Sequence, residues 1–306
     1  MWQQLLCKLK KGDVKALARI ISFAENKVAG YEEMLATLQT QQTPVIGITG
    51  PPGAGKSTLV DALIKELVSA GKKVGVLCID PSSPFNLGAL LGDRIRMSEW
   101  YNHPNVFIRS LATRGSLGGL HPMIIEITDI MKAAGFDYII VETVGVGQSE
   151  IEIAGLADTT VVVVVPEAGD EVQTMKAGLM EIADIFVVNK ADRPDADVFV
   201  KNLKLMLAPA FSKQANEIPV IKTVASVRTG IDELLQEIQL HNHQQIKTDK
   251  RPWLLTEKAY YLIMQRRMMD INKAELKKEI EQELLKQPEF NLYRYIYKRN
   301  EVNDRC

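Results

Sequence analysis

The chain has little of what secreted, membrane and nucleic-acid-binding proteins share. Its 306 residues include only three cysteines, and 37 basic residues balance 38 acidic ones to a formal net charge of −1. This balance gives no support to a basic surface for nucleic acid or anionic lipid. The apolar run at residues 161–165 is far too short to span a bilayer, and the first residues carry no apolar signal-peptide core. We expect a soluble cytoplasmic protein that binds neither nucleic acid nor membrane.

Cysteine and histidine give little indication of a metal site. The three cysteines, Cys7, Cys78 and Cys306, are scattered and form no C-x-x-C pair. Among the four histidines only His241 and His243 lie close together, in the polar stretch HNHQQ. Either a solvated surface or a metal site is compatible with such a pair, and we favour the solvated surface.

A glycine- and proline-rich turn follows the first apolar strand. Residues 50–57 read GPPGAGKS, which matches G-x-x-x-x-G-K-[ST], the loop whose backbone N–H groups surround nucleotide phosphates. Lys56 is expected to reach the β- and γ-phosphates and Ser57 to offer its hydroxyl to Mg²⁺. A strand at 45–49 and a helix over about 57–70 supply the context that this motif requires, with an anion favoured at the helix start. The predicted phosphate-binding residues are Gly50, Pro51, Pro52, Gly53, Ala54, Gly55, Lys56, Ser57 and Thr58.

Strands and helices alternate along most of the chain. Apolar, β-branched runs predict strands near 45–49, 74–79, 106–109, 138–142, 160–165, 185–189 and 219–222. Continuous rather than alternating runs are typical of strands buried on both faces of a parallel sheet. The sequence therefore predicts an α/β fold with a mostly parallel central sheet and helices on both faces. Helical periodicity over 13–39 predicts an N-terminal arm, which gives expected regions of 1–43, 44–246 and 247–306.

The base is indicated by a second motif. Asn189, Lys190, Ala191 and Asp192 follow an apolar strand and match the N-K-x-D pattern of guanine-reading loops. A carboxylate opposite guanine accepts from both N1–H and the 2-amino group, and adenine offers neither donor. The backbone after the next strand, at Val224 and Ala225, is expected to add a second contact to the base.

Two further strands end in carboxylates. Asp80 ends the run VGVLCID, and Glu142 ends YIIVE. Ligands of an open parallel sheet gather at the carboxyl ends of its strands, so both acids are expected to face Mg²⁺ and the γ-phosphate, although a capping or solvated acid is the alternative. Asp93 lies between them in the long polar stretch 81–104, an expected switch segment.

The C-terminal region is helical and heavily charged from Pro252 onward. A solvated helix face is one interpretation. The alternative is a dimer interface, because the region also carries apolar side chains, at Tyr260, Tyr261, Ile263, Met264, Met268 and Met269.

The motifs together resemble one family of GTPases. The runs IDPSSPFNLGALLGDRIRM, RSLATRGSLGGL, ETVGVGQSEIEIAGLAD and PEAGDEVQTMKAGLMEIADIFVVNKAD closely resemble the MeaB/ArgK family of P-loop GTPases. The likeness covers essentially the whole chain. The GDEVQ loop with the following Lys176 is its most specific element.

The resemblance implies a GTP-hydrolysing chaperone of adenosylcobalamin-dependent acyl-CoA mutases. GTP/GDP and Mg²⁺ are the expected cofactors. GTP would gate the loading of intact cofactor onto methylmalonyl-CoA mutase or a close relative, and help eject damaged cofactor. A cobalamin adenosyltransferase is a further candidate partner, and a homodimer built through the C-terminal helices is expected.

The resemblance also assigns roles to single residues. It gives Lys56 and Ser57 the phosphate and Mg²⁺ roles, makes Asp80, Asp93 and Glu142 organise the metal and the attacking water, and lets Asn189 and Asp192 read guanine. Segment 166–176 corresponds to an additional switch that signals to the mutase, with a plain connecting loop as the alternative. The expected switch and signalling residues are Gly145, Gln148, Asp170, Gln173 and Lys176.

Two other functions remain to be weighed. A nickel metallochaperone GTPase has a similar fold, but the His-rich tail or the cysteine ligands near the P-loop that such proteins carry are missing here. A small-substrate kinase would need a substrate pocket that the sequence does not display, and the NKAD motif argues against ATP.

Overall fold

The fold is built on a parallel β-sheet. The computed structural model describes residues 2–80, 97–113, 120–145, 151–166, 179–211, 218–244, 250–268, 271–286 and 290–296. The strands are β1 (Val45–Thr49), β2 (Val74–Asp80), β3 (Val106–Ala112), β4 (Tyr138–Glu142), β5 (Thr159–Val164), β6 (Ile185–Val188) and β7 (Val220–Lys222). They pair in parallel in the order β3-β2-β4-β1-β5-β6-β7.

Helices cover both faces of this sheet. They are α1 (Trp2–Leu9), α2 (Val14–Glu25), α3 (Tyr31–Ala36), α4 (Lys56–Ser69), α5 (Ile124–Ala133), α6 (Ile151–Leu156), α7 (Leu179–Ile182), α8 (Ala196–Phe211), α9 (Ile231–Gln244), α10 (Lys250–Arg267) and α11 (Lys273–Lys286). Successive side chains of a strand point to opposite faces. Ile46 and Ile48 accordingly pack in the cluster that contains α4 and α9, whereas Val45 packs in the cluster of α2 and α5. The predicted α/β fold class is confirmed.

The N-terminal region forms three helices. Asp13 caps α2, because its carboxylate accepts from the backbone N–H groups of Lys15 and Ala16. The single periodic stretch predicted over 13–39 is interrupted before α3, where Gly30 adopts a left-handed conformation with φ of 88°. Leu17 and Ile20 of α2 are buried in one cluster with Ile127 of α5 and Ile139 of β4, so the N-terminal helices share a core with the sheet.

Contacts along the chain define two compact units, residues 1–254 and 255–306. The expected region boundaries at 43/44 and 246/247 stay predictions. In the second unit, the Tyr295 hydroxyl donates to Glu279 at 2.6 Å, and the rings of Phe290 and Tyr295 are 6.0 Å apart. Among the helices of the described ranges, none combines the length and apolar character needed to cross a membrane.

Candidate nucleotide-binding site

The loop between β1 and α4 has backbone conformations that only glycine adopts without strain. Gly50 has a φ of 136°, Gly53 of 75° and Gly55 of 89°. A Cβ atom on Gly50 would collide with the carbonyl oxygen of Val163, and one on Gly55 would collide with the side-chain amide of Asn189. All three glycines are thus needed for the turn, and Gly50 and Gly55 are needed also for the close approach of β5 and of Asn189.

Lys56 closes over its own loop. Its Nζ donates to the carbonyl oxygens of Gly50 at 2.8 Å and Pro51 at 3.1 Å, and the residue is buried. The ammonium group therefore lies over the loop that precedes α4, and the positive end of the helix dipole favours anions there. Gly145, with a φ of 84°, lies against this group, because a Cβ there would collide with Lys56 Nζ and with the Gly50 carbonyl oxygen. A predicted signalling residue thus contacts the lysine of the phosphate loop.

Ser57 and Glu142 meet at the first turn of α4. The Ser57 hydroxyl donates to Glu142 Oε1 at 2.6 Å, and both residues are buried. The hydroxyl groups of Thr49 and Thr143 lie 2.9 Å apart and link the ends of β1 and β4 beside this contact. Sequence reasoning did not identify that threonine pair, although each threonine stands at the end of an apolar strand.

Asp80 ends the neighbouring strand β2. Cys78 pairs with Glu142 in the sheet, so Asp80 and Glu142 stand at the carboxyl ends of adjacent strands, and Asp80 is 6% exposed. Hydroxyl and carboxylate oxygens are the ligands that Mg²⁺ prefers beside nucleotide phosphates. The donor set of Ser57, Asp80 and Glu142 therefore suits a magnesium ion.

Asn189 joins the phosphate loop to the predicted base loop. Its Nδ2 donates to the carbonyl oxygen of Ala54 at 2.9 Å, while its Oδ1 accepts from Thr223 Oγ1 and from the backbone N–H of Ala225, each at 3.1 Å. Asn189 is 2% exposed. The Asn189 side chain thus hydrogen-bonds to both loops. Direct base reading by Asn189 stays a prediction.

Lys190 and Asp192 complete the NKAD turn. Lys190 adopts a φ of 57°, and its Nζ donates to the carbonyl oxygen of Gly53 at 2.8 Å. The turn is fixed to the next strand because the backbone N–H of Ala191 donates to the Thr223 carbonyl at 3.0 Å. Asp192 is exposed, so its carboxylate is accessible to a base.

The structure describes some of the remaining predicted site residues and leaves others outside the described ranges. Val224 is half-buried and precedes a short 3₁₀ turn at Ala225–Val227, while Thr58 and Pro52 are exposed at the loop surface. The predicted residues Asp93, Gln148, Asp170, Gln173 and Lys176 lie outside the described residues.

Comparison with known proteins decides the family. The family model described as methylmalonyl Co-A mutase-associated GTPase MeaB matches residues 17–279. The chain belongs to the MeaB family. This MeaB-family chain is 51% identical over 246 residues to a putative GTPase of Pyrococcus abyssi, covering 79% of this chain and 76% of that protein.

Two further similarities bear on function and fold. The fused isobutyryl-CoA mutase of Geobacillus kaustophilus is 37% identical over 234 residues, which cover 72% of the MeaB-family chain and 22% of the mutase. The crystal structure of a LAO/AO transport system kinase superimposes with a TM-score of 0.67 at 24% identity, covering 99% of this chain and 97% of that one. The second similarity shows a shared fold.

One histidine of the MeaB-family chain, His241, supports α9. His241 Nδ1 lies 2.9 Å from the Thr159 hydroxyl, and its Nε2 lies 3.7 Å from Asp184 Oδ1. Across the described ranges, no group of three or more His, Cys, Asp or Glu side chains is arranged to hold a metal ion.

Proposed function

We propose that this chain binds and hydrolyses GTP and thereby controls the loading of adenosylcobalamin onto an acyl-CoA mutase. The observation that carries the proposal is that 72% of this chain recurs, at 37% identity, within a protein named as a fused isobutyryl-CoA mutase. A GTPase unit joined to a mutase in one relative supports a separate GTPase that serves a mutase in another. The expected setting is the cytoplasm, where GTP is available.

The phosphate end of GTP would occupy the loop between β1 and α4. Binding there would draw Lys56 Nζ away from the carbonyl oxygens of Gly50 and Pro51, because phosphate oxygens carry more negative charge than carbonyl oxygens. Ser57, Asp80 and Glu142 would hold Mg²⁺, which when bound would offset the charge that develops on the terminal phosphoryl group. Asp93 is proposed to help orient the attacking water. The proposed catalytic residues are therefore Lys56, Asp80, Asp93 and Glu142.

The guanine end would lie at the NKAD turn. Asp192 would accept from the two N–H groups of guanine. The backbone N–H of Ala225, which donates to Asn189 Oδ1 at 3.1 Å, would contact the base by sharing or exchanging that partner. Asn189 links this turn to the phosphate loop, so both ends of the nucleotide would be positioned by one buried side chain.

Signalling to the mutase is proposed for the segments that carry Gly145, Gln148, Asp170, Gln173 and Lys176. If segment 166–176 couples nucleotide state to the mutase, substitutions at Asp170, Gln173 and Lys176 should leave GTP affinity and unassisted hydrolysis nearly unchanged. They should abolish stimulation by the mutase and the GTP dependence of cofactor transfer. A typical coupling corresponds to a roughly 5- to 150-fold change.

The test is GTP turnover with and without an adenosylcobalamin-dependent acyl-CoA mutase, wild type against the three variants. Cofactor transfer from a cobalamin adenosyltransferase is followed in the same samples by absorbance. Stimulation that all three variants retain would make the segment a connecting loop, while no effect of the mutase on wild-type turnover would contradict the proposed client.

A homodimer through the C-terminal helices completes the proposal. Tyr260, Tyr261 and Ile263 of α10 are 67%, 47% and 52% exposed. Three exposed apolar side chains within four consecutive positions favour burial against a second copy of the chain. Sedimentation analysis of wild type and a Tyr260→Ser, Ile263→Ser variant tests it, and a monomeric wild type would contradict it.

A further inference from the structure

Helix α10 begins with charges that disfavour a helix start. Its first turn contains Lys250 and Arg251 and no acidic residue, although the positive end of the helix dipole favours acids there. Among the described residues of α10, only Leu254 is buried. The start of α10 therefore depends on groups outside the helix.

Groups elsewhere in the same compact unit, residues 1–254, supply that support. Lys250 Nζ donates to Asp184 Oδ1 at 3.1 Å and to the carbonyl oxygen of Ile182, the last residue of α7, at 3.2 Å. Arg251 lies within electrostatic range of both Asp129 and Lys132 on α5. Burial raises the pKa of the Asp129 carboxyl, and the positive charges of Lys132 and then Arg251 oppose that rise. Burial also lowers the pKa of Lys132, and Arg251 contributes to that lowering. We call Lys250, Arg251 and Leu254 the α10 anchor.

The anchor also packs tightly on α6. A Cβ atom on Gly155 would lie 2.6 Å from Leu254 Cβ and 2.9 Å from the carbonyl oxygen of Lys250. Glycine at this position lets the two helices approach more closely than any other residue would permit.

The opposite side of α6 is equally close to β1. A Cβ atom on Gly47 would lie 2.7 Å from Ile153 Cγ1 and 2.9 Å from Ala157 Cβ. Helix α6 thus lies without spare room between the strand that leads into the phosphate loop and the start of α10. A displacement of α6 would therefore be passed on to its neighbours, because tightly packed interiors transmit strain.

The chain order connects these contacts to the nucleotide site. Helix α6 follows Glu142 and Gly145, which contact Ser57 and Lys56 respectively. Helix α7, whose last carbonyl holds Lys250, follows the proposed signalling segment 166–176. The anchor therefore contacts the elements that come directly after both proposed nucleotide-responsive segments.

We propose that the α10 anchor couples the nucleotide state of the phosphate loop to the C-terminal helices. Exchange of GTP for GDP shifts α6 and α7, and the anchor is held more firmly in one state than in the other. Because the anchor lies at the start of α10, the stability of the first turns of this helix changes with the nucleotide. The inference rests on the proposed GTP site and adds a route by which that site acts on residues beyond 254.

Hydrogen exchange of backbone amides tests this route. The full-length chain is saturated with Mg²⁺ and either GDP or a non-hydrolysable GTP analogue, and exchange is followed by mass spectrometry in peptides covering residues 253–268. We expect exchange rates that differ roughly 5-fold or more between the two nucleotides in the wild type.

Two variants remove the coupling by different means. Lys250→Met deletes the tether to Asp184, and Gly155→Ala forces α6 away from Leu254. In each, the difference in exchange between nucleotides should fall to about 2-fold or less. Because coupling is reciprocal, the ratio of the two nucleotide affinities, measured by calorimetry, should change by no more than about the same 5-fold, with both nucleotides still bound. Lys204→Met, at an exposed position of α8, is the matched control and should keep the full difference.

The outcomes separate this inference from the proposed function. Binding of both nucleotides with equal exchange in the wild type overturns the coupling alone, as does a full difference retained by Lys250→Met. Failure of the wild type to bind guanine nucleotides overturns the GTP site and the coupling together. Gly155→Ala also destabilises by crowding, so Lys250→Met decides the result if Gly155→Ala does not fold.

Discussion

The Ser57 hydroxyl donates a hydrogen bond of 2.6 Å to the Glu142 carboxylate in the buried space at the start of α4. The contact joins the phosphate loop to the end of β4. This strand also pairs directly with β1, the strand before the loop, where Ile48 lies opposite Glu142. A carboxylate so held is already aimed at the serine that the motif assigns to Mg²⁺. The chain thus already holds together two of the three side chains proposed to bind Mg²⁺.

Loss of the Glu142 charge should impair chemistry more than nucleotide binding. Glu142→Gln keeps the size of the side chain but removes the negative charge opposite the metal, so we expect GTP turnover to fall by about 10²-fold or more. GDP affinity without Mg²⁺ should stay near the wild-type value. Phosphate release and calorimetry measure the two quantities, with Glu233→Gln on the exposed side of α9 as control. Unchanged turnover in Glu142→Gln would place the metal elsewhere.

Loss of the Lys56 charge should distinguish the triphosphate from the diphosphate. Lys56→Ala removes the ammonium group that lies over the phosphate loop, so GTP binding should weaken more than GDP binding and hydrolysis should largely cease. Titration of both nucleotides checks this. Equal weakening for GTP and GDP, with turnover intact, would show that Lys56 does not reach the γ-phosphate.

Asp192 should determine base preference. Asp192→Asn replaces an acceptor by an amide that also donates, so guanine loses its partner while xanthine, with a carbonyl at position 2, gains one. We expect preference to move from GTP toward XTP. Competition binding of the two nucleotides measures the shift, and a variant that keeps the wild-type margin for GTP would remove Asp192 from the base pocket.

Lys132 should make stability depend on alkaline pH. Burial is the main cause that lowers the pKa of Lys132 below its ordinary 10.5, and nearby Asp158 opposes it. Between the lowered pKa and 10.5 the unfolded chain binds more protons than the folded chain, so the free energy of unfolding rises with pH.

Replacement of Lys132 by methionine should remove this slope. The free energy of unfolding of Lys132→Met relative to wild type should fall as pH rises from the lowered pKa of Lys132 toward the ordinary lysine value of 10.5. Urea unfolding at several pH values measures it, with Lys204→Met as a control that should show a flat difference. A flat difference for Lys132→Met as well would mean that Lys132 titrates like an exposed lysine.

Local sequence was sufficient to predict much of the sheet. The strands at Val45–Thr49 and Tyr138–Glu142 have the predicted bounds, because each is a short apolar run buried on both sides. The phosphate loop was equally predictable, since its glycines answer a local demand of the backbone. Helix α4 begins one residue earlier than predicted, at Lys56.

Contacts between distant segments were not predictable in the same way. The break before Gly30 and the extra helix α1 depend on packing against the sheet-containing core. The bridging role of Asn189 requires Ala54 and Ala225 to be neighbours in space. The approach of Gly155 to Leu254 depends on the position of α10, which no local pattern specifies.

The most direct test of the proposed activity is the rate of phosphate release from GTP and from ATP by the purified chain with Mg²⁺. We predict a kcat/KM for GTP that exceeds that for ATP by roughly 10²-fold or more, because the Asp192 carboxylate accepts from two N–H groups of guanine and finds neither donor on adenine. Turnover should be lost in Lys56→Ala, which excludes a contaminating enzyme. Equal or faster cleavage of ATP, abolished by the same substitution, would contradict a guanine-specific GTPase.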